Sequence, residues 1–115
     1  MKKDYIVIGG QQYRVEVNWN ALSNFLIYID QDSIGGLAEI DKFRVSQIPA
    51  LMAATIEEGE RLEGREFKMD PKELGTMLNP FHLQKFMEIY TRQSRVWMEM
   101  DGESKKKESP AQPQS

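Results

Sequence analysis

Cysteine is absent from all 115 residues, which removes disulfides, thiolate nucleophiles and thiolate metal sites together and suits a reducing compartment. Histidine is represented by His82 alone, so no second histidine can share a metal or a proton with it. A Ser or Thr nucleophile would need a base, and the acidic residues nearest to His82, Glu73 and Glu88, sit in ordinary helical surface patterns. Catalysis is therefore not expected. Basic clusters are missing as well: no stretch before Lys105 offers the concentrated positive face that phosphate neutralisation requires, so nucleic acid is not an expected partner.

Long apolar runs are also lacking. Behind Lys2 and Lys3, Tyr5–Ile8 gives way to two glycines, too short for a signal-peptide core. The run from Phe25 to Ile29 falls far below the roughly 20 residues of a membrane span. A soluble protein of the cytoplasm is expected, without membrane, metal or cofactor.

What is present suffices for one modest core: 40% of the residues are apolar, with 15 basic and 18 acidic residues giving a net charge of −3. A single domain over 1–100 and a disordered tail over 101–115 are expected, with self-association a natural supplement for so small a core. Asp101 onward carries Gly, Ser, Lys, Glu, Pro and Gln without a bulky apolar side chain, and such a segment cannot offset its ordering entropy.

The fold class expected is α+β, mainly α: an N-terminal β-hairpin and then a small bundle of about four helices. Gln12 to Asn18 alternates strictly, placing Tyr13, Val15 and Val17 on one strand face. Gly9-Gly10 supplies the positive φ values of a tight turn, and a two- or four-residue loop alike puts Ile6 and Ile8 on that same face. Asn18 or Asn20 caps a first helix bearing Leu22, Phe25, Leu26 and Ile29, with Gly35-Gly36 beyond its end. A short helical turn is expected over Leu37–Phe43. Ser46 is the expected cap of a second helix, with Pro49 in its first turn and Ile48, Leu51, Met52, Thr55 and Ile56 inside. Glu57-Glu58-Gly59-Glu60 is expected to fade into an exposed charged loop through Gly64, followed by an extended connection at Phe67 and Met69. Asp70-Pro71-Lys72-Glu73 signals a third helix start, and Asn79-Pro80 a fourth. The last helix is expected to reach about Met100, with Leu83, Phe86, Met87, Tyr90 and Trp97 on one face.

Three constellations invite a functional reading. Asp30-Gln31-Asp32-Ser33-Ile34-Gly35, continuing to Asp41, loosely follows a calcium-loop spacing. However, Ile34 offers no side-chain oxygen at the fifth position and Asp41 replaces the usual bidentate Glu, which favours a helix end rich in turn formers. Glu57, Glu58, Glu60, Glu63 and Glu66 form an acidic run that reads first as a solvated face. The seven methionines and the aromatics of the last helix point to partner binding, since Met adapts to irregular apolar surfaces. Val96, Trp97, Met98 and Met100 point several ways around a helix and cannot all pack on one domain. The candidate partner-binding residues are Phe86, Tyr90, Val96, Trp97, Met98 and Met100.

Ile8-Gly9-Gly10-Gln11-Gln12-Tyr13, leading through alternation into Asn20-Ala21-Leu22-Ser23-Asn24-Phe25 and then Ile48 to Gly59, resembles the tail assembly chaperones of long-tailed bacteriophages and prophages over roughly residues 5 to 95. That resemblance implies a cytoplasmic protein of the bacterial host cell that coats the hydrophobic tape-measure protein. It would keep the tape soluble, help recruit tail tube subunits, and stay out of the mature virion. It also implies a frameshifted longer product, for which Ser104-Lys105-Lys106-Lys107 could be an adenine-rich coding stretch. The alternatives are a structural or adaptor protein of a virion, self-associating through Trp97 and Met100, and a small regulatory protein such as an antitoxin.

Overall fold

The computed structural model describes residues 3–33 and 44–108, with side chains as far as Val96. The chain opens with an antiparallel hairpin of β1 (Asp4–Ile8) and β2 (Gln11–Val15), in which Ile6 faces Tyr13 and Ile8 faces Gln11. Gly9 at φ 61° and Gly10 at φ 79° form a two-residue turn, the shorter of the two loop lengths the sequence left open, and its twist matches that of the strands it joins. Ile6, Ile8, Val15 and, beyond the strand, Val17 are buried on one face. Tyr13 is half-buried and meets Phe67 edge-on at 5.2 Å.

Helix α1 (Trp19–Tyr28) starts at Asn18, whose side chain accepts from the Ala21 N–H at 3.0 Å. The helix buries Ala21, Leu22, Phe25 and Leu26. It ends where Asp30 adopts φ 59°: the Asp30 and Gln31 amides turn back to the carbonyls of Ile27 and Leu26, closing the helix end with Asp in the position usually held by Gly.

Helix α2 (Ile48–Leu62) is the centre of the molecule. A 3-10 turn over Val45–Gln47 leads into it, so Gln47 rather than the expected Ser46 occupies the cap position. The Gln47 side chain instead turns back to accept from the Arg44 N–H at 3.0 Å. Leu51, Met52, Thr55 and Ile56 form the expected inner stripe, yet Ala50, Ala53 and Ala54 are buried too. The reason is that α2 packs against α1, β2 and the following helix at once, and three alanines let those neighbours approach. Thr55 is fully enclosed and donates its hydroxyl to the Leu51 and Met52 carbonyls.

The expected charged loop after Glu57 does not form, because α2 continues through it to Leu62 and closes at Gly64, φ 79°. Residues 65–70 then cross the molecule without helix or strand and bury Phe67. Helix α3 (Pro71–Met77) begins with the expected reciprocal cap: Asp70 accepts from the Glu73 N–H at 2.8 Å and Glu73 accepts from the Asp70 N–H at 3.2 Å. Helix α4 spans Pro80–Glu108, eight residues beyond the expected end near Met100 and into the segment expected to be a disordered tail. Lys and Glu are good helix formers, Glu103 precedes Lys107 by four residues, and the first proline beyond Pro80 is Pro110. The expected turn over Leu37–Phe43 and the Gly35-Gly36 pair lie outside the described residues.

Candidate partner-binding surface

The start of α4 is fixed by its own side chains. Asn79 Oδ1 accepts from the amides of Phe81 and His82 at 2.9 and 3.0 Å, and His82 Nδ1 accepts from the Asn79 N–H at 3.1 Å. The single histidine thus takes the part that Glu or Gln plays in the usual reciprocal cap.

One turn-by-turn row of α4 then enters the core. Phe86 is fully buried, Ile89 is 1% exposed and Tyr90 is 8% exposed, with the Phe86 and Tyr90 rings 5.8 Å apart. Of the residues singled out for partner binding, Phe86 and Tyr90 are therefore enclosed in the domain, where they seat α4 against the rest of the core. Leu83, placed on the inner face by its spacing, is instead exposed, and Met87 is only half-buried. The helix touches the domain mainly along β1, a narrower contact than a full apolar stripe.

A polar clamp reinforces that contact. Gln93 Oε1 accepts from the Val17 N–H at 2.7 Å, while its Nε2 donates to the Val15 carbonyl at 3.0 Å and to Asp4 Oδ2 at 2.8 Å. Arg92 reaches both carboxylate oxygens of the buried Asp4 at 2.8 Å. Arg92 and Gln93 thus bond α4 to the hairpin through their side chains. From there α4 continues to Glu108, an arm of about 22 Å at the rise of a helix.

Val96 stands on this arm and is 49% exposed. Trp97, Met98 and Met100 follow it in the same helix, their side chains outside the described ones. Beside the arm's root, Gln84, Met87, Glu88, Thr91 and Arg95 border an open trough of about 590 Å³ along α4. Its mixture of both charges with one methionine suits an amphipathic surface better than a small apolar ligand.

Sequence reasoning missed a network between β2 and α2. The acidic run reads as a solvated face, but Glu58 and Glu60 are 2% and 4% exposed. Glu58 accepts from Arg61 at 2.9 Å and from Asn18 at 2.7 Å. Glu60 accepts from Arg65 at 2.8 and 3.0 Å and from the Arg14 backbone N–H at 2.9 Å. The hydrogen bonds from Arg61 and Arg65, respectively, outweigh burial and hold both carboxyls below their ordinary range. Glu63 gathers Lys3, Arg14 and Tyr5. These contacts, with a bond of 3.0 Å from the Glu16 N–H to the Thr55 carbonyl, satisfy the outer edge of β2 and tie it to α2. The signal in the sequence was the glycine within the run: Gly59 lies where β2 crosses α2, and a Cβ there would collide with the Arg14 carbonyl.

Asp30, the first position of the calcium-like spacing, serves as the left-handed residue that ends α1, while Ile34 and Asp41 lie outside the described residues. Among the described residues no three His, Asp or Glu side chains gather closely enough to hold a metal ion, and no helix is long and apolar enough to cross a membrane. Comparison with known proteins adds no relative: no family model, curated protein or solved structure matches the chain.

Proposed function

We propose that this chain is a partner-binding protein of the tail assembly chaperone kind, acting in the cytoplasm of a bacterial host. Its partner is the tape-measure protein, which it keeps soluble until tail tube subunits are recruited, and it stays out of the finished virion. The carrying observation is the arm of α4. After the Gln93 clamp the helix continues while its sequence turns to Val96-Trp97-Met98-Glu99-Met100, and Val96 is half-exposed. A surplus of apolar residues toward the end of a long helix suits contact with another helix, and adaptable methionines tolerate a partner whose sequence varies along its length. Many such contacts repeated on one long tape give avidity, yet each stays weak enough to be displaced when the tube assembles. No catalytic step enters this reading.

The test is co-expression with the tape-measure protein of the same locus, followed by pull-down and measurement of the tape's soluble fraction. Copurification in many copies with a soluble tape supports the reading. A tape that aggregates equally with and without this chain defeats it and favours a self-associating structural protein.

A further inference from the structure

We propose that the outer edge of β1, at Tyr5 and Val7, takes an added strand: an extended segment of a partner protein, bound separately from the arm of α4. The two-residue turn at Gly9-Gly10 makes Ile8 and Gln11 exchange ladder bonds, and alternation gives the same role to Ile6 with Tyr13 and to Asp4 with Val15. Tyr5 and Val7 therefore turn their amides and carbonyls away from β2. The same alternation turns Arg14 and Glu16 outward on the other edge, where Glu60 accepts from the Arg14 amide at 2.9 Å and the Thr55 carbonyl from the Glu16 amide at 3.0 Å. Helix α2 thus closes the edge of β2. Among the described residues no hydrogen bond closes that of β1 at Tyr5 or Val7, and Val7 is 56% exposed.

The unpaired groups specify the kind of partner. Donors and acceptors recur along a strand edge at every second residue, about 7 Å apart. Another extended chain presents the matching series, whereas a helix has already satisfied its own backbone. Free edges are commonly blunted by Lys, Pro or a bulge, but Tyr5 and Val7 carry no charge and β1 pairs with β2 without a bulge. Beside an aromatic and a β-branched side chain, the added strand is favoured by aromatic or β-branched residues at alternate positions.

Size selects the occupant. Helix α4 lies along β1. A second copy of this domain pairing edge to edge would bring its own α4 alongside, and strands pair about 4.8 Å apart while packed helices need about 8 to 10 Å. A lone extended segment has no such helix to accommodate, so the edge takes a strand of another protein rather than β1 of a second copy.

Amide exchange of the full chain, followed by nuclear magnetic resonance, tests this with an end-capped peptide Lys-Thr-Val-Thr-Val-Thr-Lys as the probe. In the free protein the Tyr5 and Val7 amides should exchange fast while those of Ile6 and Ile8 are protected. Saturating peptide should slow Tyr5 and Val7 about tenfold or more, and the peptide Lys-Thr-Pro-Thr-Pro-Thr-Lys, lacking the ladder donors, should not. Val7→Pro removes only an outward donor, so it should keep the circular dichroism of the wild type and lose the peptide. Tyr5 and Val7 amides already slow in dilute free protein would overturn the proposal, as would their indifference to the first peptide, equal protection by both peptides, or a Val7→Pro variant that binds as the wild type does. Protection that rises with protein concentration alone would assign the edge to a second copy and equally overturn it.

Discussion

The backbone of Gly59 in α2 rests against the carbonyl of Arg14 in β2 so closely that no Cβ fits between them. This contact brings the hairpin's edge onto the central helix, allowing Glu60 to take the Arg14 amide and Thr55 to take the Glu16 amide. In an ordinary helix interior, replacing Gly with Ala stabilises by about 1 kcal/mol. Here Gly59→Ala should destabilise by about 2 kcal/mol or more, because the obstructing atoms are backbone and the strand must move. The midpoint of urea unfolding measures it; a midpoint that rises would show that the strand is not held there.

The buried carboxylates predict acid sensitivity. Glu58 and Glu60 lie below the ordinary value of 4.5 in the folded chain. Their contribution is complete above the unfolded value and is lost as pH falls from 4.5 through the lower folded values. Urea midpoints recorded from pH 7 downward should therefore drop through this window, and the drop should shrink in Glu58→Gln and Glu60→Gln. An unchanged acid limb in both variants would place the sensitivity elsewhere.

The Gln93 clamp should be worth more than a surface amide. Gln93→Ala removes bonds to Val17, Val15 and Asp4 together and should cost about 2 to 4 kcal/mol, since each net bond contributes about 1 kcal/mol and stranded buried groups add to it. Hydrogen exchange at the Val17 amide should accelerate in parallel. Protection at Val17 equal to that of the wild type would mean that the hairpin is held without the clamp.

These elements differ in how far the sequence announced them. The Gly9-Gly10 turn, the Asn18 cap and the Asp70-Pro71-Glu73 start were legible because each is a local arrangement complete within a few residues. Burial of Glu58 and Glu60 was not, because it depends on Arg14, Asn18 and Asn20, some forty residues away in the chain. Periodicity placed Phe86 and Tyr90 on the inner face of α4 correctly, but it also placed Leu83 there, which is exposed at 37%. A helix resting mainly on one hairpin strand covers fewer of its apolar positions than its pattern offers. The proposed partner surface was visible as a surplus of apolar residues at Val96-Trp97-Met98 and Met100, whereas the bonds that hold α4 to the hairpin come from Gln93, an inconspicuous polar residue.

The most direct test of the account compares the wild type with a Trp97→Gln, Met98→Gln variant, each co-expressed with the tape-measure protein of the same locus. The account predicts that the variant keeps its helical circular dichroism and urea midpoint, because the arm lies beyond the Gln93 clamp, while the tape's soluble fraction and the number of bound copies fall about tenfold. Undiminished copurification by the folded variant would contradict the claim that the arm holds the partner, and loss of the fold would show that these residues belong to the core.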